Sequence, residues 1–367
     1  MKKVTLQDIA DELGISKGTV DRAIHNRPGV SAATREKVLN LVKKYNYKPN
    51  KVARLLSLKS KMINIGVICQ SNPAFFWNNV KAGIKAAEAE LADFGMQLIL
   101  KELKNYREVN ELLEKIDELT VEKIDGLVIV PVNSDRLRKK INELSQKSIA
   151  VATLNDDITD SSRLFYVGPQ MRQSGRIAGE LIAKFLRLKG RVVTLNPSIQ
   201  SLEYEERLRG FKEILREEYK GINLIAEYTF NYDALGENGQ NVIKSILENT
   251  GEFDAIYDVD GVSLYDIGCI VKNSKKLRNA IVVGHEVSEN VKRLMEDGII
   301  HACISQDPFS QGYYVIKLLF DYLVEGKKPP FDRMYTRLDV IFKENMISPR
   351  NIINSYSSTS SGPVAGS

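Results

Sequence analysis

The 367-residue chain is poor in the residues that build metal and redox centres: it has three cysteines, three histidines and one tryptophan. Cys69, Cys269 and Cys303 lie far apart, match no zinc or dithiol spacing and are expected to be free, buried thiols of a reducing compartment. His25, His285 and His301 lack metal-ligand spacing as well, so neither a metal nor a cofactor is expected. No run of about 18 apolar residues is present, which excludes a membrane-spanning helix. The opening "VTLQDIADEL" carries three acids where a secretory leader needs an apolar block, and the expectation is a cytoplasmic protein. Phosphate-binding G-x-x-x-x-G-K-[ST], dinucleotide-binding G-x-G-x-x-G after the first strand and the nucleophile elbow G-x-S-x-G are all missing. No catalytic residue is therefore assigned, and the chain does not read as an enzyme.

What is present is uneven charge. The net charge is +5, but residues 1–61 hold 14 Lys and Arg against five acids, and the remainder holds 38 against 42. A small basic head on a mildly acidic body is the footprint of a nucleic-acid module joined to something else.

The head reads as three short helices. Thr5 is a good N-cap with Asp8 three residues on, and Ile9, Ala10 and Leu13 fall on one face. Gly14 permits the positive φ that ends a helix, and Ser16 caps the next. Two short helices joined by a Gly-containing turn make a helix-turn-helix. In the second, Val20, Ala23 and Ile24 point one way, while residues 17, 18, 21, 22 and 25 form one exposed stripe free to enter a major groove. Arg22 is the natural base reader, since a guanidinium can bond O6 and N7 of guanine together. A third helix, capped by Ser31 and carrying Val38, Leu41, Val42 and Tyr45, closes the core.

The segments "VTLQDIADELGISKGTVDRAI", "GVSAATREKV" and "YNYKPNKVARLL" resemble the head and hinge of the lactose-repressor (LacI/GalR) family of bacterial regulators over residues 4–58, and the family pattern continues more loosely to about residue 345. The resemblance implies base reading by Lys17, Gly18 and Arg22 and phosphate contacts from Ser16, Thr19, Ser31, Tyr47 and Asn50. It places Ala53 where paired hinge helices cross and Leu56 where a leucine wedges between base steps in the minor groove. Thr5, Leu6, Asp21 and His25 complete the expected DNA-facing set. Asp21 and His25 stand where the family commonly has Ser and Asn, so the operator is not expected to follow the family's commonest sequence.

From Met62 onward, β-branched strands alternate with amphipathic helices, and the alternation occurs twice. The expected fold is an all-α helix-turn-helix head plus an α/β body of two doubly wound parallel-sheet lobes with a ligand cleft between them. The expected divisions are a head at 1–49, a hinge at 50–61, an effector-binding and dimerisation body at 62–346 and a disordered tail at 347–367. The change of lobe is expected at 156–162, with returns near Gln306 and near Pro329–Asp332.

Ligands of such sheets sit at the carboxyl ends of the strands. There the sequence places Asn72, Phe76, Trp77, Asn155, Asp156, Asp260, Glu286 and Gln306, with Arg207 on the helix after Asn196. Aromatics for an apolar sugar face with amides, acids and one arginine around its edge fit a neutral sugar, cyclitol or amino-sugar. The resemblance agrees, with these positions matching the sugar-contacting strand ends of the family and of periplasmic ribose-type receptors. It implies a homodimeric repressor reading a near-palindromic double-stranded operator, with no membrane partner. A free sugar receptor, or a regulator of a nucleoside or phosphorylated ligand, is the alternative.

A leucine at an exposed hinge position has no core to join until DNA is present. Leu56→Ala is therefore expected to weaken specific operator binding in a gel shift while leaving the thermal melt of the body unchanged; unchanged operator affinity would overturn the hinge assignment.

Overall fold

The computed structural model describes residues 4–24, 28–45, 62–104, 108–197, 201–230 and 239–346. His25, Tyr47, Asn50, Ala53, Leu56, the expected hinge and the tail lie outside these residues.

The head consists of α1 (Leu6–Leu13), α2 (Lys17–Ile24) and α3 (Ala32–Lys44). Thr5 and Asp8 form a reciprocal capping box, and Gly14 takes φ 60° to end α1. Ile9, Ala10, Val20, Ala23 and Val38 are buried together, as the apolar spacing requires. Tyr45 donates its hydroxyl to Glu12 at 2.8 Å, tying the end of α3 to α1.

The body opens with β1 (Ile63–Gln70), α4 (Ala74–Leu91), β2 (Met96–Leu103), α5 (Val109–Val121), β3 (Gly126–Ile129), α6 (Asp135–Gln146), β4 (Ala150–Leu154) and β5 (Phe165–Pro169). The second lobe runs through α7 (Met171–Phe185), β6 (Gly190–Pro197), α8 (Leu202–Glu217), β7 (Ile222–Phe230), α9 (Gly239–Asn249), β8 (Ala255–Asp258), α10 (Leu264–Asn273), β9 (Ile281–His285), α11 (Glu289–Glu296) and β10 (Ala302–Ser305). Then α12 (Pro308–Glu325) and β11 (Arg333–Thr336) return to the first lobe, and β12 (Asp339–Ile341) to the second.

Each lobe is a six-stranded sheet, ordered β2-β1-β3-β4-β5-β11 in one and β7-β6-β8-β9-β10-β12 in the other. The same order recurs, and among the described residues only the β10–β12 pair is antiparallel. Central strands such as β1 and β3 are almost wholly buried because helices cover both faces, α4 and α12 on one side of the first sheet and α5 and α6 on the other.

Two boundaries differ from expectation. The first lobe runs through β5, so the chain crosses between Pro169 and Met171 rather than at 156–162. The polar stretch 156–162 is instead a loop inside the lobe, held by Asp157, whose carboxylate accepts from Arg163 at 2.5 and 2.7 Å and from Arg333 at 3.2 Å. The last crossing falls between Thr336 and Asp339 rather than at Pro329–Asp332, because the short β11 still pairs with β5. The return near Gln306 is where it was expected. Cys69 and Cys303 are buried, Cys269 only partly, and all three are free.

Both lobes contain one very close helix crossing. An added Cβ on Gly175 of α7 would lie 1.8 Å from the Arg207 carbonyl oxygen, and one on Gly210 of α8 would lie 1.9 Å from that of Arg172. Gly83 and Gly312 repeat the device between α4 and α12, each 2.0 Å from an opposing carbonyl oxygen. Since backbone must move to admit a methyl group there, Gly175→Ala is expected to lower stability by about 1–3 kcal/mol in urea unfolding. Gly251→Ala, where a Cβ meets nothing within 4 Å, is the control; equal midpoints for the two variants would contradict the crossing argument.

Candidate DNA-reading face and ligand cleft

Packing of Val20 and Ala23 into the head core decides which side of α2 faces outward. Ser16, Lys17, Gly18 and Arg22 are exposed, while Thr19 and Asp21 are half-buried. The Ser16 hydroxyl oxygen accepts from the Thr19 amide at 3.1 Å, and an Arg22 guanidinium N–H donates to Thr19 Oγ1 at 3.4 Å. Gly18 leaves open space, its added Cβ meeting only Ser16 Oγ at 3.8 Å, so the surface of α2 is low where a duplex would approach. Thr5 and Ser31 are exposed at the caps of α1 and α3, and Leu6 is half-buried.

In the body, the strand order places a switch point between β1 and β3 in the first lobe and between β6 and β8 in the second. The carboxyl ends of these strands confront one another across a cleft lined by Pro73, Phe75, Phe76, Trp77 and Asn155 from the first lobe. Glu203, Tyr204, Asp260, Val262, Glu286 and Gln306 line it from the second side and the crossover. Phe76 and Trp77 meet edge to face, with centroids 5.1 Å apart, and give the cleft an apolar wall.

The polar side is built from residues in unusual backbone conformations. Asn155 and Glu286 directly follow strands and take φ 64° and 58°, which turns their side chains at the strand ends. Glu286 Oε1 accepts from the Gln306 amide at 3.0 Å. The Gln306 carbonyl accepts from Gln311 Nε2 at 3.0 Å and Thr336 Oγ1 at 2.9 Å, which fixes the crossover. Two buried acceptors of cleft residues have no partner, Asn155 Oδ1 and Gln306 Oε1, while Asp260 shares a hydrogen bond with the Asp258 carboxyl.

Of the nine residues expected from sequence, six line this cleft: Phe76, Trp77, Asn155, Asp260, Glu286 and Gln306. Asn72 is exposed, because the wall passes to Pro73 and the first turn of α4. Asp156 turns away, accepting from Ser201 Oγ at 3.0 Å and the Asp157 amide at 2.9 Å, a tie between the lobes. Arg207 is fully buried behind the lining, its guanidinium 2.8 Å from Glu203 Oε1 and donating to the Val259 carbonyl at 2.8 Å. Glu203 and Tyr204 were not singled out from sequence. The Glu203–Arg207 spacing of one helical turn is the signal that could have found the first of them.

Acids dominate the electrostatics. Burial pushes the Glu286 carboxyl up to about 7 against the opposing pull of Arg207. Burial, then the neighbouring Asp260 charge, holds Asp258 well above the carboxylate range, and burial raises Asp260 too. His285 is held neutral by burial between the Tyr257 hydroxyl, 2.9 Å away, and Ser174. Among the described residues no group of His, Cys, Asp and Glu could hold a metal ion, and no helix is long and apolar enough to cross a membrane.

A helix-turn-helix head carried with a two-lobed body whose strand ends meet at a polar cleft defines a ligand-controlled DNA-binding protein. The chain belongs to the periplasmic binding protein domain family, which it matches over residues 65–328, and its residues 5–50 match the lacI family of bacterial regulatory proteins. It is similar to catabolite control protein A of Streptococcus mutans serotype c, 26% identical over 247 residues that cover 66% of this chain and 70% of that one. A probable HTH-type transcriptional repressor of Bacillus subtilis, ExuR, is 31% identical over 163 residues, 43% of this chain and 44% of that one. The fold is shared with the crystal structure of GanP, a glucose-galactose binding protein from Geobacillus stearothermophilus. That likeness has a TM-score of 0.71 at 23% identity and covers 78% of this chain and 99% of that one. The chain is a DNA-binding transcriptional regulator.

The raised Glu286 carboxyl has a consequence for stability. Between its ordinary value of 4.5 and its folded value of about 7, the folded chain holds a proton that the unfolded chain releases. Its contribution therefore falls as pH rises through that window. Glu286→Gln is expected to gain stability relative to the parent as pH rises across it, read as the difference between two thermal-melt series; parallel series would contradict the burial of this carboxyl.

Proposed function

We propose that the chain is a cytoplasmic homodimeric repressor whose affinity for a near-palindromic operator is set by one neutral polyhydroxylated molecule, a monosaccharide or cyclitol, held between the lobes. The observation that carries the ligand class is the pair of unpartnered acceptors, Asn155 Oδ1 and Gln306 Oε1, opposite an aromatic wall. A buried acceptor without a donor costs about 1–3 kcal/mol, and hydroxyl groups supply donors. A phosphate dianion supplies none and would meet the carboxylates of Glu203, Asp260 and Glu286 instead. The wall of Phe75, Phe76 and Trp77 takes the apolar face of the ring.

The mechanism follows from the topology. Three chain crossings join the lobes, so ligand in the cleft changes the lobe angle. In a dimer this changes the spacing of the two heads, and with it operator affinity. Such a coupling is typically about 1–3 kcal/mol and requires that the ligand bind the two states unequally. Lys17, Gly18 and Arg22 read bases, and Ser16, Thr19 and Ser31 hold phosphates.

The test is a gel shift on the region upstream of the gene at two salt concentrations, with a panel of sugars and cyclitols added. Binding is expected to weaken steeply with salt as counterions are released and to respond to one panel member. Arg22→Ala is expected to cost about 1–3 kcal/mol of operator affinity and to leave sugar-induced thermal stabilisation intact. Unchanged operator affinity of the variant would remove Arg22 from base reading, and absence of binding at low salt would overturn the regulator mechanism.

A further inference from the structure

The turn between β8 and α10 carries two carboxyl groups joined by a hydrogen bond. Asp258 ends β8 and is fully buried, while Asp260, 8% exposed, lines the cleft. The Ser263 hydroxyl donates to Asp258 Oδ1 at 2.7 Å. Asp260 Oδ1 accepts from the Val262 amide at 2.9 Å and from the Ser263 amide at 3.5 Å. Oδ2 of each residue is then buried with no N–H or hydroxyl donor, and a side-chain hydrogen bond links the two carboxyls. Such a bond requires a proton on one of them, because an ionised carboxylate only accepts. The turn is held in place by Gly261, which takes φ 86° and lies so close to β9 that an added Cβ would sit 2.3 Å from the His285 carbonyl oxygen.

We propose that Asp258 is a positioning residue of the cleft: it stays the neutral acid, donates to Asp260, and presents Asp260 to the ligand as a singly charged group that only accepts. This role rests on the reading of the cleft as a polyol site. The donors run in one direction. Ser263 donates to Asp258 and Asp258 to Asp260, so the next donor must come from the cleft, as a ligand hydroxyl.

The surroundings decide which acid carries the proton. Arg207 on α8 donates to the carbonyl of Val259, the residue between the two acids, at 2.8 Å, and its charge favours the ionised form of Asp260. Burial raises Asp260, but the Val262 amide and Arg207 pull it back. Burial, then the Asp260 charge, holds Asp258 well above the carboxylate range. The other titratable groups on the surrounding elements bring no second cation. Tyr257 on β8, His285 on β9 and Cys303 on β10 are held neutral by burial, and Glu203 on α8 and Glu286 on β9 are further acids. On α10, Asp266 accepts from Gln240 instead. The residues lining the cleft from the first lobe include no titratable group.

The test uses the full chain. Asp258→Asn copies the neutral acid, with an N–H to donate to Asp260 and a carbonyl to accept from Ser263, whereas Asp258→Leu keeps the bulk and removes the donor. The infrared difference spectrum of parent minus Asp258→Asn at neutral pH is expected to contain the carbonyl stretch of a protonated carboxylic acid; carboxylate bands in its place would overturn the proposal. A group whose proton is held more tightly in the folded chain loses its stabilising contribution as pH rises from its ordinary value of 3.8. The melting midpoint of Asp258→Asn is therefore expected to rise relative to the parent from there to neutral pH, and a fall, the sign given by an ionised aspartate held by donors, would overturn it. Calorimetric titration with glucose, galactose, ribose and myo-inositol reads the positioning. A member that binds the parent is expected to bind Asp258→Asn within about twofold and Asp258→Leu about tenfold more weakly. Equal binding by parent and Asp258→Leu, or equal loss in both variants, would overturn the role. If none of the four binds the parent, the polyol reading falls, and the infrared band and the sign of the melt still decide whether Asp258 is the donor to Asp260. Should Asp258→Leu give no cooperative melt, those two measurements and the binding by Asp258→Asn decide alone.

Discussion

Ionised carboxylates in a cleft walled by Phe76 and Trp77 are costly to desolvate, and much of the body is organised to bear that cost. Each acid has found a different answer. Glu203 is matched by Arg207, Asp258 keeps its proton beside Asp260 while accepting from the Ser263 hydroxyl at 2.7 Å, and Glu286 takes the amide of Gln306. Where the match is incomplete, as at Glu286 and Asp260, the proton is held more tightly instead. A ligand with several hydroxyl donors relieves this tension directly, which is why the ligand class follows from hydrogen-bond accounting more than from cavity shape.

The same accounting explains how the cleft stays connected to the rest of the molecule. Gln306 is at once a cleft residue, the partner of Glu286 and, through its carbonyl, the partner of Gln311 and Thr336 on either side of two lobe crossings. Asp156 joins the first lobe to Ser201 at the start of α8, the helix that carries Glu203 and Arg207. Asp157 with Arg163, Arg333 and Asp332 stiffens the loop beside the crossings. These ties gather at the segments that join the two lobes.

Much of this was legible in the residues. The head was readable because its caps and apolar spacing agree at every helix, from Thr5 and Asp8 to Ser31 and Val38. The repeated strand-helix alternation gave two lobes, strand-end polar residues gave four of the cleft's positions, and Phe76 and Trp77 gave two more. The lobe boundaries were misplaced because β5 and β11 are short segments whose membership is decided by pairing between positions 167 residues apart, such as Tyr166 with Arg333. Arg207 was read as a ligand donor from its place after a strand end, and spacing did not show that its side chain is fully buried beside Glu203 with Nε and Nη2 still unpartnered. Asp156 and Asp157 look alike in sequence, and only the positions of Ser201 and Arg163 separate an interlobe tie from a buried ion pair.

The central claim is that the cleft and the DNA-reading face are energetically coupled through the lobe angle. The most direct measurement is the affinity of the effector for the full chain, free and bound to its operator. Linkage requires that operator change effector affinity by the same factor as effector changes operator affinity, about 5- to 150-fold for couplings of this kind. Equal effector affinity in the two states would contradict the account, leaving a DNA-binding head and a sugar site joined in one chain without communication.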